Sequence, residues 1–217
     1  MFAKGLRGFA SFLVVTAHIS RSLAPYLLSP AMSATMPPVL LQLPFLRCLV
    51  MGRASVAIFA ILSGYVNALK PIKQLRAGNI DVALSGIAKS AFRRTGRFVI
   101  PAVIATTLSW LVCQFGAYRL AKTVDSAWIR DTSPVPSPSF AAAVSDLFYN
   151  LITTWTDGGN EYDRIQWTLT YLLRGSMLVY LTMFATAYVQ PRYRVLVYCV
   201  MYMFYWKSGD GKISPRK

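Results

Sequence analysis

Arg7-Gly-Phe-Ala-Ser-Phe-Leu-Val-Val-Thr-Ala-His18 places an ionisable side chain at each end of an otherwise apolar run. An α-helix turns by about 100° and rises about 1.5 Å per residue. The eleven steps from Arg7 to His18 bring the two within about 20° of one face, roughly 16 Å apart along the axis. With Arg7 at a membrane edge, His18 lies near the middle of a hydrocarbon layer about 30 Å thick. A titratable group at that depth is costly and by default points to function. His18 is also the one histidine of the chain.

The rest of the composition fits a membrane setting. Of the 217 residues, 55% are hydrophobic and only 14% charged, against about 25% charged in an ordinary soluble domain. The mean hydropathy is +0.43, and the apolar residues come in long blocks. The net charge of +15 is no argument for nucleic acid, because the basic residues flank apolar spans, where lipid headgroups and topology explain them. Cys48, Cys113 and Cys199 are dispersed. They form neither a disulfide framework nor a metal-binding spacing, and they read as small apolar fillers. Lys4 and Arg7 before an apolar run imitate a signal peptide. No convincing cleavage site follows, so the run is expected to remain as a first span.

Four spans are expected over 8–28, 48–69, 98–118 and 167–189, the third with Pro101 in its first turn, where proline is tolerated. A fifth apolar run, 193–206, is short against the roughly 20 residues a crossing helix needs. Lys70, Lys73, Arg76, Lys89, Arg93, Arg94 and Arg97 fall between spans two and three beside a single acid, Asp81. That loop, and with it the N-terminus, is expected on the cytoplasmic side. Six of the eight acids, Asp125, Asp131, Asp146, Asp157, Glu161 and Asp163, fall between spans three and four, which is expected to face outside or a lumen. There a Ser/Pro loop, 133–139, precedes an amphipathic stretch, 141–155, suited to the interface. The basic end of the chain, 207–217, does not continue the preceding pattern and reads as an abrupt stop. A full fifth span would place it outside, against the charge rule.

Three groups of residues could carry chemistry. His18 has the side chain of a general base: a neutral imidazole, favoured by burial, can take a proton from a hydroxyl as that hydroxyl attacks an acyl carbon. The alternative is a histidine that joins helices by hydrogen bonding. Arg53, near the outer end of span two, either snorkels to the interface or lines a polar cavity. Ser63-Gly64 suit close helix approach. At the mouth of span three, Arg93, Arg94 and Arg97 share a helix face at i,i+3 and i,i+4 spacing. They could fork around phosphate oxygens or anchor lipid headgroups. No Walker loop, GxGxxG, HExxH, CxxC or GxSxG element accompanies them, which leaves nucleotide hydrolysis, zinc proteolysis and serine hydrolysis without support.

Three elements occur in order: Arg7 with ten residues before His18, Phe59-Ala-Ile-Leu-Ser-Gly-Tyr65, and the pair Arg94 and Arg97. Together with Gln166-Trp-Thr-Leu-Thr-Tyr-Leu-Leu-Arg-Gly-Ser176, this pattern resembles the acyltransferase 3 family of integral membrane O-acyltransferases, in its fungal form. The resemblance covers residues 5 to about 181. It implies about ten membrane helices and transfer of an acyl group, often acetyl from acetyl-CoA, to a hydroxyl of a sugar, lipid or small molecule. It makes His18 the catalytic base, Arg7 a residue that helps hold the acyl donor, and Arg94 and Arg97, with Arg93 beside them, contacts for CoA phosphates. Two features depart from the family pattern. The proline and glutamate usual in the Trp-Thr segment are Thr170 and Leu172 here, and about five spans replace about ten, as in a C-terminally truncated member.

The expectation is therefore an all-α, polytopic transmembrane bundle of four to five spans. Residues 1–206 would be the N-terminal part of the acyltransferase 3 domain, and 207–217 a basic tail. Its partners would be lipids and a hydroxyl-bearing acceptor, with acyl-CoA as co-substrate and no metal or nucleic acid. An inactive fragment and a proton relay or transporter are the rival readings.

Overall fold

The computed structural model of the chain describes residues 2–29 and 37–209. The tail from 210 onward lies outside them, so the abrupt-stop reading falls there too. The described residues are all-helical, with no strand. They form α1 (Phe2–Leu23), α2 (Gly52–Arg76), α3 (Ile80–Gln114), α4 (Ala127–Thr132), α5 (Phe140–Thr156), α6 (Trp167–Ala185) and α7 (Pro191–Gly209). Two of these, α2 and α3, are long and apolar enough to cross a membrane by length and composition.

The expected spans match helices but not always their limits. At 35 residues, α3 is about 52 Å long, well beyond the hydrocarbon thickness. It begins at Ile80 rather than near Phe98, so Pro101 stands inside the helix and not in its first turn. The basic loop expected between spans two and three is itself almost wholly helical. Hydropathy marks only the apolar part of such a helix, whereas backbone hydrogen bonding continues through its charged turns. Similarly, α2 begins at Gly52, leaving Cys48 in a short 3-10 turn, and continues through Pro71 to Arg76. With 19 residues, α7 outgrows the 14-residue apolar run that announced it.

The turn between α2 and α3 has a clear local cause. Gly78 adopts φ +78°, a left-handed conformation that costs glycine little. The Gly78 N–H donates to the Leu75 carbonyl (3.2 Å), and the Asn79 N–H donates to the Gln74 carbonyl (3.1 Å). These two bonds make a Schellman cap that stops α2 and reverses the chain. Beside this turn Leu75, Ala83, Ile87, Tyr180, Met183 and Ala187 form the buried core that joins α2, α3 and α6.

Near the other end of α2, a Cβ built on Gly52 would meet the Ala17 Cβ at 3.2 Å. The close approach of α1 and α2 therefore lies here and not at Gly64, where a Cβ would meet nothing within 4 Å. Pairing Ala17 with Gly52 makes the two helices antiparallel. Arg7 then lies beside the middle of α2, and His18 beside its first turn. Of the cysteines only Cys113 is buried; Cys48 and Cys199 are exposed, so the filler reading fails for those two.

Candidate active site

A cavity of about 640 Å³ lies along α2 and α3 and reaches α1 and α6. Arg7, Lys70, Arg93, Arg94 and Arg97 line it together with Phe59, Ser63, Asn67, Gln74, Gly86, Phe98, Leu172 and Tyr180, and no acidic residue does. The fold thus gathers the four expected arginines, from two helices far apart in sequence, into one space. Lys70 adds a fifth cation. An uncompensated group of positive charges attracts anions, and guanidiniums match phosphate oxygens in geometry.

Arg94 is the structural centre of the cavity. Its Nη1 donates to Asn67 Oδ1 at 3.0 Å, and its Nη2 donates to Ser63 Oγ. The guanidinium carbon stands 5.2 Å from the Phe98 ring centroid, and the Tyr180 hydroxyl lies against the same group. Ser63 Oγ is 3.5 Å from Ser176 Oγ. One arginine of α3 thereby ties α2 to α6. Ser63, read in the sequence only as a small residue, is a polar partner in this contact. Asn67, Tyr180 and Gln74 were not singled out in the sequence, and Lys70 was read there only for topology. A polar Asn67 within an apolar run was the one signal that could have found the first of them.

Three polar atoms of the cavity wall are buried without a hydrogen-bond partner among the described residues: Asn67 Nδ2, Gln74 Oε1 and Arg94 Nε. Buried polar groups are almost always satisfied, so unsatisfied donors and acceptors on a cavity wall mark where a ligand can bind.

His18 is half-buried on α1 and does not line this cavity. The helix rise places it about 16 Å beyond Arg7. Among charged groups, Arg21 and Asp163 act electrostatically on its imidazole. A buried network holds the Asp163 segment in place. Gln166 Nε2 donates to Asp163 Oδ2 (2.9 Å) and to the Ala102 carbonyl (3.3 Å), while Gln166 Oε1 accepts from Thr106 Oγ1 (3.2 Å). Asn160 Nδ2 donates to Thr106 Oγ1 (2.8 Å) and Thr154 Oγ1 (2.9 Å). Its Oδ1 accepts from the backbone N–H groups of Tyr162 and Asp163, both at 3.0 Å. The acid-rich segment is thus fixed against α3 and α5, and it includes Asp163, the carboxylate that acts electrostatically on His18. Arg53, by contrast, is exposed in the first turn of α2 and lies outside the cavity.

The Trp-Thr segment occupies the first turns of α6. Thr170 donates to the Thr154 carbonyl, which locks α6 to α5. Leu172 lines the cavity at the position where the resembled family usually has a glutamate. Arg94 consequently shares the cavity with no carboxylate. Its contacts on the protein side are an amide, two hydroxyls and a ring.

The profile of the acyltransferase 3 family, described as an acyltransferase domain, matches residues 2–215. This chain belongs to the acyltransferase 3 family. It is also 27% identical over 176 residues to the O-acetyltransferase PaAT-1 of Phomopsis amygdali, an alignment that covers 74% of this chain and 35% of that protein. The chain therefore spans about a third of the length of that relative. No solved structure matches.

Proposed function

We propose that this acyltransferase 3 chain is part of a multi-pass membrane O-acyltransferase, its N-terminus cytoplasmic, which moves an acyl group from acyl-CoA to a hydroxyl. The observation that carries this reading is the acid-free cavity with five cations, one of which, Arg7, is on the same helix as His18 and about 16 Å from it along the axis. The phosphates of CoA fit the cations, and the extended arm bearing the thioester has the length to follow α1 toward the histidine. The family favours acetyl as the acyl group, and the relative's name points the same way. Four to five spans would then include α1, α6 and α7 beside α2 and α3.

In the reaction, the neutral His18 imidazole removes the proton of the acceptor hydroxyl as its oxygen attacks the thioester carbonyl. The tetrahedral oxyanion collapses, the C–S bond breaks, and the leaving CoA thiolate receives from the imidazolium the proton that came from the acceptor hydroxyl. The ester leaves with the acceptor. Asp163, held by Gln166, would stabilise the transient positive charge on His18. Positive charge at the end of α2 and in the first half of α3, and acids before α6, support a donor cavity toward the cytoplasm and Asp163 toward the opposite side.

The test is transfer of radiolabel from acetyl-CoA in membranes that hold this chain, beside a His18→Ala variant. Transfer that falls by about a hundredfold or more in the variant fits a general base. Equal transfer by both chains would remove His18 from the chemistry, and flux of a solute without any need for CoA would favour a transporter.

A further inference from the structure

The polar groups of the cavity are ordered along the α2–α3 hairpin. Gln74 and Gly86 face each other nearest the turn, and a Cβ on Gly86 would stand 3.6 Å from Gln74 Oε1. Asn67 and Ser63 meet Arg94 two and three turns further in, with Lys70 and Arg93 lining the stretch between. The cavity extends from these cations toward Gln74 at one end and toward Phe59 and α1 at the other.

Gln74 Oε1 is a buried acceptor with nothing to accept from among the described residues. A phosphate carries no donor for it at neutral pH, so the cation-binding end of the ligand cannot satisfy it. The amide also has donors on its nitrogen. A side-chain amide that offers an acceptor and a donor side by side matches the adenine edge, whose amino group donates and whose ring nitrogen accepts. The Schellman cap fixes the Gln74 backbone, since its carbonyl accepts the Asn79 N–H, and a cap of this kind limits where the side chain can reach. Gly86 lines the cavity beside this amide, where a bulky side chain would crowd the Gln74 oxygen.

We propose that Gln74 is the specificity residue of the donor site and reads the adenine base of the donor nucleotide through its amide. This inference rests on the acyl-CoA reading. It adds that the donor enters base-last, with adenine at the α2–α3 turn and the thioester arm directed along α1 toward His18.

The experiment is calorimetric titration of the detergent-purified chain with adenosine 3′,5′-bisphosphate and with inosine 3′,5′-bisphosphate, in which a carbonyl replaces the amino group. The wild-type chain should bind the adenosine compound roughly tenfold or more tightly, the discrimination usual for a bidentate amide–adenine pair. Gln74→Leu should bring the two affinities within about threefold of each other by removing that pair. Discrimination that survives in Gln74→Leu overturns the assignment to Gln74, and equal binding by the wild-type chain overturns base reading altogether. In the latter case phosphate binding, and with it the acyl-CoA reading, still stands. Failure of both nucleotides and of CoA itself to bind removes the donor reading and this inference with it. Should Gln74→Leu fail to fold, Gly86→Leu supplies the second variant. It crowds the Gln74 amide from α3 and should weaken the adenosine compound while leaving inorganic pyrophosphate binding unchanged; unchanged adenosine binding would overturn the placement.

Discussion

Arg94 donates to Asn67 across the α2–α3 interface at 3.0 Å, and through that bond a cation of the cavity is also a strut of the fold. The two roles separate by substitution. Arg94→Lys keeps the charge but cannot fork between Asn67 and Ser63. Loss of one charge-assisted hydrogen bond costs about 1.5–3 kcal/mol, so both the melting temperature and the affinity for CoA should fall. Arg93→Gln, away from that strut, should weaken CoA binding alone. Melting curves with and without CoA read both effects, and a stable Arg94→Lys variant with normal CoA affinity would contradict the double role.

Leu172 places an apolar side chain in a cavity of five cations. Leu172→Glu should supply an internal counter-charge for Arg94. The expected result is a higher melting temperature without ligand and a CoA affinity about tenfold lower, since a carboxylate inside the site competes with phosphate for the guanidinium. Equal CoA affinity in the variant and the wild-type chain would mean that the phosphates do not sit at Arg94.

Much of this site could be read from residue order, and the reasons it could not all be read are physical. Arg7, Arg93, Arg94 and Arg97 stand out because charges in apolar sequence are rare and helical spacing predicts a shared face. The helix limits were less legible. Hydropathy ends at about Phe98, but α3 begins at Ile80, because amphipathic turns continue a helix beyond the hydrocarbon layer at no cost in backbone hydrogen bonds. Gln74 and Asn160 carry no local signal at all, and Gln166 was read only as the start of the Trp-Thr segment. Asn160 and Gln166 become meaningful through Thr106, far along the chain, and Gln74 through its buried, unpartnered oxygen in the cavity wall. Gly64, conspicuous beside Ser63, turned out to face open space, whereas the unremarked Gly52 makes the close helix contact.

That contact gives a stability prediction. A methyl group at Gly52 would stand 3.2 Å from Ala17 Cβ, tighter than ordinary packing, so Gly52→Ala should force α1 and α2 slightly apart. Larger side chains should cost more, with Gly52→Val losing about 1–3 kcal/mol as overpacking usually does. Gly64→Ala, with nothing within 4 Å of its Cβ, should be neutral or slightly stabilising, as expected for a glycine replaced in a helix. Thermal unfolding of the three variants in one detergent checks the order, and a Gly64→Ala loss as large as that of Gly52→Val would disprove it.

Tyr162 supplies a pH dependence outside the helices. Burial in the segment before α6, together with the nearby Asp146 carboxylate, pushes its phenol above the ordinary range, opposed by a hydrogen bond with Ser137. The native chain therefore holds this proton at a pH where the unfolded chain, with a tyrosine value of about 10, has released it. Above pH 10 the unfolded state binds fewer protons than the native state, so the slope of stability against pH is negative there. The contribution is complete below about pH 10 and is lost as the pH climbs toward the raised native value. Tyr162→Phe removes the titrating group and should flatten this alkaline limb, while losing a small constant amount at neutral pH from the Ser137 bond. Chemical denaturation of both chains between pH 8 and pH 11.5 measures the difference. Parallel curves would show that the Tyr162 phenol titrates alike in the native and unfolded chains.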